Sequence, residues 1–359
     1  MNKIIIVSDL KVIDSPQAGI GVSRCLKDAG FKIIGVDDTS FVTSDKNLFE
    51  EVFCWEEIRT LNFDSLINKI INVKKIYGLD YIFPCYDETA ILFSFIKEKI
   101  EHIGVKLMIP TREVLKKIQK INLPKIVKYK NYKTPETKQV NSIKEAINYA
   151  EKIGYPVICK GLVKGAYPCE NETDLISNIK KLSNIWNNGE VNCLVQKYIT
   201  NEEVEFRNCV IGIKNNKIVG YAEMVKIGRD QNGATWFGKI DKNKELFEFA
   251  EYLVELIPFG TSIIEIESIK NKDAYYIYEI NPRSPAWIFA LCQLGLNIPQ
   301  LILQNSKDKI KFVPEEGYFG RETKDFIRKD IDGFGENIKY YSKAAAYKSG
   351  SLKYPSELL

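Results

Sequence analysis

Acidic side chains alternate through a segment that the sequence predicts to be a β-hairpin. Within residues 263–281, two runs rich in β-branched and aromatic residues flank a short polar turn. Because side chains alternate across a strand, Glu265 and Glu267 share one face of the first strand. For the same reason, Glu279 and Asn281 share one face of the second. If these two faces coincide, the oxygen-bearing side chains converge, which is costly unless a cation or an ordered network compensates.

Two interpretations of this hairpin stay open on spacing alone. Oxygen ligands suit Mg²⁺ or Mn²⁺, and Mg²⁺ is normally completed by phosphate oxygens and water. Arg283, which follows the second strand, offers a planar fork for a phosphate beside such a metal. The alternative is a half-exposed hairpin whose acids face water, because any one-sided sheet shows alternating polar positions.

The composition describes an ordinary soluble globular protein. The 359 residues give room for two or three domains, with 45% hydrophobic and 27% charged residues. A net charge of +4 gives no argument for a nucleic-acid or membrane partner. The eight cysteines are scattered without a CxxC spacing, and neither a signal peptide nor a membrane-spanning run is recognisable. We therefore expect a cytoplasmic protein.

The N-terminal region predicts a parallel sheet. The apolar run 4–7, a glycine-containing turn and helix at 18–30, and a second strand at 32–37 form a βαβ unit. A full GxGxxG motif is absent, so nicotinamide binding is not expected from this turn.

Two acidic residues follow the predicted strand 81–84 of this region. Ligands bind at the carboxyl ends of strands in open α/β sheets, so Asp87 and Glu88 are candidate substrate contacts. Asp87 can equally cap a predicted helix at 88–100, and we favour capping.

Lysines in the middle of the chain are candidates for phosphate binding. Residues 155–160 form a predicted strand that ends at Lys160 and runs into a glycine-containing loop, 161–166. A lysine fixed by a strand beside backbone amides is a suitable phosphate clamp, although a surface strand and loop fit the pattern too. Lys120, near the end of a predicted helix at 111–121, is a further candidate.

Later segments suggest a nucleotide hinge and a closing loop. The apolar strand 193–199 runs into a polar connector with several glutamates, and backbone groups of such a hinge can read an adenine edge. Residues 228–238 are predicted to be a mobile loop on which Trp236 could close over a ligand. The segment 306–359 holds no interpretable motif.

The order of these parts resembles the ATP-grasp superfamily over roughly residues 1–305. Residues 282–287 and 295–299 look most like stand-alone proteins related to the carbamoyl-phosphate synthase large chain. The resemblance implies an α/β, ATP-grasp fold in four parts. These are an N-terminal Rossmann-like domain (1–110), a linker helix with a small lid subdomain (111–195), a larger nucleotide- and metal-binding subdomain (196–305) and a C-terminal extension (306–359).

The resemblance also implies roles in nucleotide binding. Lys160 would hold the α- and β-phosphates, and Glu203, which we favour, or Glu205 would bind the ribose. The adenine-reading hinge would comprise Gln196, Lys197, Tyr198 and Ile199.

Metal ligands and a catalytic residue are implied in the same way. Glu279 and Asn281 would bind Mg²⁺ or Mn²⁺, with either Glu265 or Glu267 as a further acid, and Arg283 would steady the γ-phosphate or an acyl phosphate.

The implied activity is that of an ATP-dependent carboxylate–amine ligase. ATP would phosphorylate a carboxylate, and an amine would then displace the phosphate. The substrate would be an amino acid, a peptide or a small carboxylic acid, and a homodimer is an expected assembly. A kinase with a stable phosphorylated product and a non-catalytic ATP-binding scaffold or sensor are the alternatives.

Overall fold

A computed structural model describes residues 3–11, 18–38, 46–162, 165–186, 189–199, 204–229, 235–272, 274–304 and 309–321. The strands of these ranges form three sheets: a five-stranded parallel sheet, a four-stranded small sheet and an eight-stranded large sheet.

The parallel sheet confirms the predicted βαβ region. Its strands are β1 (Ile4–Ser8), β2 (Lys32–Asp37), β3 (Glu51–Cys54), β4 (Leu79–Phe83) and β5 (Lys106–Leu107). The strand order is β3-β2-β1-β4-β5, all parallel. Its helices are α1 (Gly19–Asp28), α2 (Phe63–Tyr77), α3 (Asp87–Ser94) and α4 (Lys97–His102). The prediction of a single helix at 88–100 is wrong, because a turn at residues 95–96 separates α3 from α4.

A short linker follows the parallel sheet. It contains α5 (Arg112–Lys117), a 3₁₀ turn (Lys120–Asn122), α6 (Leu123–Ile126) and β6 (Tyr132–Lys133). The hydroxyl of Thr111 accepts a hydrogen bond from the backbone N–H of Val114 and so caps α5. α5 ends at Lys117, earlier than the helix predicted at 111–121. Lys120 therefore lies in the 3₁₀ turn that follows it.

The small sheet carries the strand that ends at Lys160. Its strands are β7 (Thr137–Val140), β8 (Val157–Lys160), β9 (Ala166–Cys169) and β10 (Cys193–Lys197), in the antiparallel order β7-β10-β8-β9. Its helices, α7 (Ile143–Ile153) and α8 (Glu172–Trp186), pack on it around a separate hydrophobic core. Ser142 caps α7 through the N–H of Glu145, and Gly154 ends it at φ +76°.

The large sheet contains the predicted acidic hairpin. Its strands are β11 (Glu205–Lys214), β12 (Lys217–Arg229), β13 (Thr235–Asp241), β14 (Ser262–Asn271), β15 (Ala274–Asn281), β16 (Lys311–Phe312) and β17 (Gly317–Gly320). The order is β17-β13-β12-β11-β14-β15-β6, and β16 pairs with β12. The helices are α9 (Phe247–Leu256), α10 (Ile288–Gln293) and α11 (Ile298–Leu303).

Alternation along β11 and β14 divides the large sheet into two buried faces. Val210 and Ile263 belong to a core that also contains residues of α1, α10 and α11. Ile211 and Ile264 belong to a second core with residues of α5 and α9. Glu265, next in the alternation, therefore points to the same side as Ile263. That side faces the parallel-sheet region, because the same core contains Ile5 and Val7 of β1.

Two expectations about the large sheet need correction. The loop predicted at 228–238 is largely strand, because β12 continues to Arg229 and β13 begins at Thr235; residues 230–234 lie outside the described ranges. Trp236 is therefore a β13 residue, and β13 lies three strands away from β14. β12 extends this far because its pairing with β13 continues to Arg229 opposite Thr235.

The observed sheets also differ from the domain boundaries expected from the sequence. The boundary between residues 195 and 196 falls inside β10, and β16 and β17 place residues 311–320 in the large sheet. None of the helices in the described ranges has the length and apolar content needed to cross a membrane.

Gly19 allows α1 to begin directly against the end of β1. A Cβ at this position would lie 2.3 Å from the carbonyl oxygens of both Ser8 and Asp9. We expect Gly19→Ala to lower the free energy of unfolding by about 2–3 kcal/mol, because backbone atoms cannot move aside. Gly21→Ala is the matched control, since its Cβ meets a side-chain methyl of Ile288 at 3.1 Å. Urea unfolding that shows equal losses for both variants would contradict this account.

Candidate functional site

The register of β14 and β15 brings the acidic side chains onto one face. Glu265 lies opposite Asn281, and Glu267 lies opposite Glu279. Side chains directly opposite each other in an antiparallel pair have Cβ atoms about 4.5–5.5 Å apart. These four residues, called the acid face below, therefore form a compact group of oxygen-bearing side chains.

Glu265 is buried and held by four donors. Its carboxylate accepts hydrogen bonds from Asn208 Nδ2 at 2.8 Å, Trp287 Nε1 at 2.9 Å, Arg283 at 3.0 Å and Asn281 Nδ2 at 3.4 Å. Burial, reinforced by the neighbouring charge of Glu267, raises the pKa of Glu265 above its ordinary value. The donors compensate much of the cost of burying this carboxylate.

Glu267 has a different balance of forces. Burial opposes its charge, but Lys226 lies 2.6 Å away, and together with its hydrogen bonds this lowers the pKa of Glu267 to about 2. The carboxylate also accepts hydrogen bonds from Tyr278 Oη at 2.7 Å and Asn281 Nδ2 at 2.9 Å. Glu267 is therefore ionised at neutral pH.

A β-bulge places Tyr278 beside the acid face. The register of β14 and β15 shifts between Glu267 and Ser268, so Tyr278 has no partner in the ladder. Strict alternation would put Tyr278 and Glu279 on opposite faces. Instead, Tyr278 donates to Glu267, and its ring centroid lies 4.8 Å from Lys160 Nζ. The ring thus connects the large sheet with the small sheet.

Lys160 and Lys120 approach the acid face from different elements. Lys160, at the end of β8, is buried, and this burial lowers its pKa to about 8 although Glu279 and Glu267 oppose the shift. Lys120, in the linker turn, forms an ion pair with Glu279 at 2.8 Å. Both lysines selected from the sequence therefore meet the hairpin.

Arg283 joins the acid face to the parallel-sheet region. Its Nε and one terminal nitrogen each lie 3.2 Å from Asp87 Oδ2, and the other terminal nitrogen donates to Glu265 at 3.0 Å. Burial opposes the charge, but these two carboxylates raise the pKa of Arg283 further above its ordinary range. The guanidinium of Arg283 therefore stays positively charged and links Glu265 of the large sheet to Asp87 of α3.

The capping role favoured for Asp87 is wrong. The N-cap of α3 is Tyr86, and Asp87 is the first residue of the helix. Its side chain forms an ion pair with Arg283 instead of capping the helix. Leaving a buried guanidinium without a carboxylate costs more free energy than leaving a helix N-terminus without a side-chain cap. Glu88, the second candidate at this position, is buried in the first turn of the same helix.

Lys226 is a site residue that the sequence reading missed. It lies on β12 and is nearly fully buried against Glu267. It directly follows residues 218–225, a run of mostly apolar residues. Lys160 was selected because it ends an apolar strand. Lys226 follows Val225 in the same way, so the same pattern could have identified it.

The side chains of the predicted hinge point into the small sheet. Gln196 is buried and donates to Thr137 Oγ1 at 2.7 Å, whereas Lys197 Nζ donates to the carbonyl oxygen of Gly154 at 2.7 Å. Both contacts fix the end of β10, so these two side chains stabilise the small sheet.

The backbone of the hinge is partly engaged as well. The N–H of Lys197 donates to the Glu136 carbonyl at 2.8 Å, and that of Tyr198 to the Pro156 carbonyl at 3.3 Å. Recognition of a base by this segment would therefore fall to its other backbone groups, up to Ile199.

The two ribose candidates have different outcomes. Glu203 lies outside the described residues. Glu205 accepts a hydrogen bond from Arg207 Nε at 2.8 Å. Arg207 is buried and also contacts Glu223 at 2.8 Å and Asp241 at 3.0 Å. Glu205 thus belongs to a buried ion cluster of the large sheet, and its role toward a ribose stays a prediction.

A cavity of about 330 Å³ adjoins the acid face. Glu279 and Asn281 form part of its wall, together with Lys120 of the linker. Side chains of α3 and α5 and of the small sheet complete the wall. The large sheet, the small sheet, α3 and the linker therefore border a space beside the carboxylates that is large enough for a small molecule.

No protein-family model matches the chain. The structure is similar to the biotin carboxylase domain of 2-oxoglutarate carboxylase from Hydrogenobacter thermophilus (TM-score 0.66, 17% identity, 87% of this chain and 72% of that chain). Biotin carboxylase from Campylobacter jejuni gives a TM-score of 0.63 at 20% identity, covering 84% of this chain and 70% of that chain. Phosphoribosylglycinamide synthetase from Anaerococcus prevotii gives 0.57 at 16% identity, covering 84% and 74%. The predicted α/β, ATP-grasp fold is confirmed.

The ion pair between Lys226 and Glu267 gives a stability prediction. Lys226→Met leaves Glu267 buried without its nearest cation, so we expect the free energy of unfolding to fall by about 3 kcal/mol. The second substitution Glu267→Gln should recover most of this loss. Lys239→Met is the control, because Lys239 pairs with Glu316 at the surface and its removal should cost little. Urea unfolding of the four proteins checks this, and a loss that Glu267→Gln does not recover would contradict it.

Proposed function

We propose that the protein is an ATP-dependent carboxylate–amine ligase that acts through an acyl phosphate. The observation that carries the proposal is the convergence of Lys120, Lys226 and Arg283 on the carboxylates of the acid face, with Lys160 close by. Phosphoryl transfer needs positioned cations more than it needs a nucleophilic side chain. The ATP-grasp fold supports the same conclusion, and the similar H. thermophilus domain is described as a complex with MgADP and bicarbonate.

The residues of the acid face fit a Mg²⁺ ion. Among the described residues, no three His, Cys, Asp or Glu side chains are gathered to hold a metal by themselves. Glu265 and Glu267 are each engaged by several donors, so either one would join Glu279 and the amide oxygen of Asn281 as a ligand. Two carboxylates with an amide, completed by phosphate and water, are a typical Mg²⁺ environment. The buried Oδ1 of Asn208, without a hydrogen-bond donor in the described ranges, adds an oxygen nearby.

The cations would change partners when a nucleotide binds. Lys120 and Lys226 now neutralise Glu279 and Glu267, respectively. With phosphates present, both lysines and Lys160 would contact phosphate oxygens and the carboxylates would face the metal. A bound Mg²⁺ would neutralise charge on the phosphate groups during transfer. Because the pairs are preformed, little reorganisation is required at the moment of reaction.

The proposed reaction has two steps. A carboxylate oxygen of the substrate attacks the γ-phosphorus, the new O–P bond forms and ADP leaves. The amine nitrogen then attacks the acyl carbon, the C–O bond breaks, phosphate leaves, and the proton of the amine passes to phosphate or solvent. Arg283 would hold the transferred phosphoryl group throughout. The small sheet would act as the lid that excludes water, because an exposed acyl phosphate hydrolyses.

A turnover assay tests this proposal. Purified protein, ATP and Mg²⁺ are incubated with a panel of amino acids, peptides and small carboxylic acids, and the products are identified by mass spectrometry. Release of ADP with a new amide supports the ligase. A stable phosphorylated product would indicate the kinase instead, and binding without release of ADP or AMP would indicate the non-catalytic scaffold. A homodimer stays a prediction that the same preparation can address by light scattering.

Glu279→Gln should separate catalysis from folding. The variant keeps the size of the side chain but removes a charge proposed to bind the metal, so we expect turnover to fall at least about 100-fold. Melting temperature should change little, because Glu279 is only half-buried. Glu255→Gln, on the exposed side of α9, is the control and should retain full activity. Normal turnover of Glu279→Gln would remove Glu279 from the metal site.

Lys160 predicts a pH dependence of nucleotide binding. Its pKa is lowered to about 8, so the nucleotide-free protein loses this positive charge as the pH rises through 8. We expect the affinity for ADP with Mg²⁺ to fall roughly tenfold between pH 7 and pH 9. Lys160→Arg, which stays charged throughout, should give a flat profile. Isothermal titration at both pH values measures this, and a flat wild-type profile would exclude Lys160 as the phosphate clamp.

A further inference from the structure

The cavity beside the acid face contains side chains for which the proposed phosphoryl transfer has no role. Arg112 and Leu115 of α5 line it, together with Ile91 of α3 and Phe95, which directly follows α3. Since the cavity wall also includes Glu279, a molecule in this space would lie next to the proposed reaction centre. The chemistry of these lining groups therefore bears on the substrate.

Arg112 presents a fixed but incompletely used cation to this space. Its guanidinium carbon lies 3.9 Å from the ring centroid of Phe95, which is a stacked arrangement. Its Nε is buried and, within the described part of the chain, has no hydrogen-bond acceptor. A buried donor without an acceptor is costly, and a stacked guanidinium keeps its N–H groups available in its own plane. A carboxylate is the group that best matches such a fork.

Asp87 presents the complementary group. Its Oδ2 accepts from Arg283, but its Oδ1 is buried and has no donor among the residues that the structure describes. A buried carboxylate oxygen without a donor favours a ligand that carries N–H groups, and an ammonium group satisfies the charge as well. Because Asp87 also holds Arg283, that ammonium would lie beside the proposed acyl phosphate.

One part of the remaining wall is apolar, whereas Lys116, Gln119 and Gln139 contribute polar groups elsewhere. The apolar part is formed by Ile91, Leu115, Ile118 and Ile121, whose side chains carry no hydrogen-bonding groups. A ligand that fills this part of the cavity gains free energy by burying apolar surface, whereas a charged side chain would lose its hydration there.

We propose that the amine substrate is an α-amino acid with an apolar side chain. This inference rests on the proposed ligase function. The α-carboxylate pairs with Arg112, the α-amino group with Asp87, and the side chain packs against the isoleucine and leucine residues. In this orientation the amino group, rather than the carboxylate, faces the reaction centre. After the ammonium has lost one proton to solvent, its nitrogen lone pair attacks the acyl carbon, so the amino acid is the nucleophile that displaces phosphate.

Direct titration tests the inference without knowledge of the second substrate. L-Leucine and L-phenylalanine are titrated into the protein with ADP and Mg²⁺ present. The comparison ligands are isopentylamine, which is leucine without its carboxylate, and 4-methylpentanoate, which lacks the amino group. We expect leucine or phenylalanine to bind at least tenfold more tightly than either comparison ligand.

Arg112→Gln should weaken binding of the amino acid at least tenfold and leave isopentylamine unchanged. The control is Lys117→Gln, an exposed lysine on the same helix that does not line the cavity; it should change neither affinity. Thermal melting of both variants shows that they are folded. If Arg112→Gln does not fold, the affinities of the wild-type protein for leucine and isopentylamine show whether the α-carboxylate is recognised.

Several outcomes would overturn the inference. These are equal binding of leucine and isopentylamine, unchanged binding of leucine to Arg112→Gln, and tighter binding of aspartate or lysine than of leucine. If ADP with Mg²⁺ binds but no amino acid does, the inference fails while the ligase proposal stands. If ADP with Mg²⁺ does not bind either, the ligase proposal itself fails.

Discussion

The structure depends on the burial of carboxylates on one face of β14 and β15. Charges removed from water are stable only when other charges or donors compensate, and one hairpin cannot supply these itself. Lys226 comes from a strand of the same sheet, Lys120 from the linker, and Arg283 from the segment after β15. The acid face therefore requires that the linker and the large sheet meet at one place, with Asp87 of the parallel-sheet region bound to Arg283.

The same compensation gives the site its proposed function. An arrangement in which lysines neutralise glutamates can be replaced by one in which lysines contact phosphates and glutamates contact a divalent cation. The charged groups then exchange partners without moving far. A site whose charges are already in position lowers the activation barrier because little reorganisation is needed during the reaction. Burial lowers the pKa of Lys160 to about 8, so a phosphate bound beside it would stabilise its charged form.

Much of the fold could be predicted from local patterns, but the site only in part. Apolar runs and glycine turns predicted β1, β2 and the hairpin, because these features depend on near neighbours. Tyr278 was missed because a bulge breaks the period of two, and no residue type announces a bulge reliably. Asp87 was assigned to a helix cap because its partner, Arg283, is 196 residues away in sequence. Trp236 was placed on a loop because glycines alone do not show where pairing with β13 continues.

The most direct test of the central claim is the Mg²⁺ dependence of ATP binding. Isothermal titration with ATP is carried out on the wild-type protein with Mg²⁺ in excess and again with a chelator. If the acid face binds a metal together with polyphosphate, Mg²⁺ should increase the affinity for ATP at least tenfold, because without it the carboxylates repel the phosphates. Equal affinity under both conditions, or no binding of ATP under either, would contradict the account.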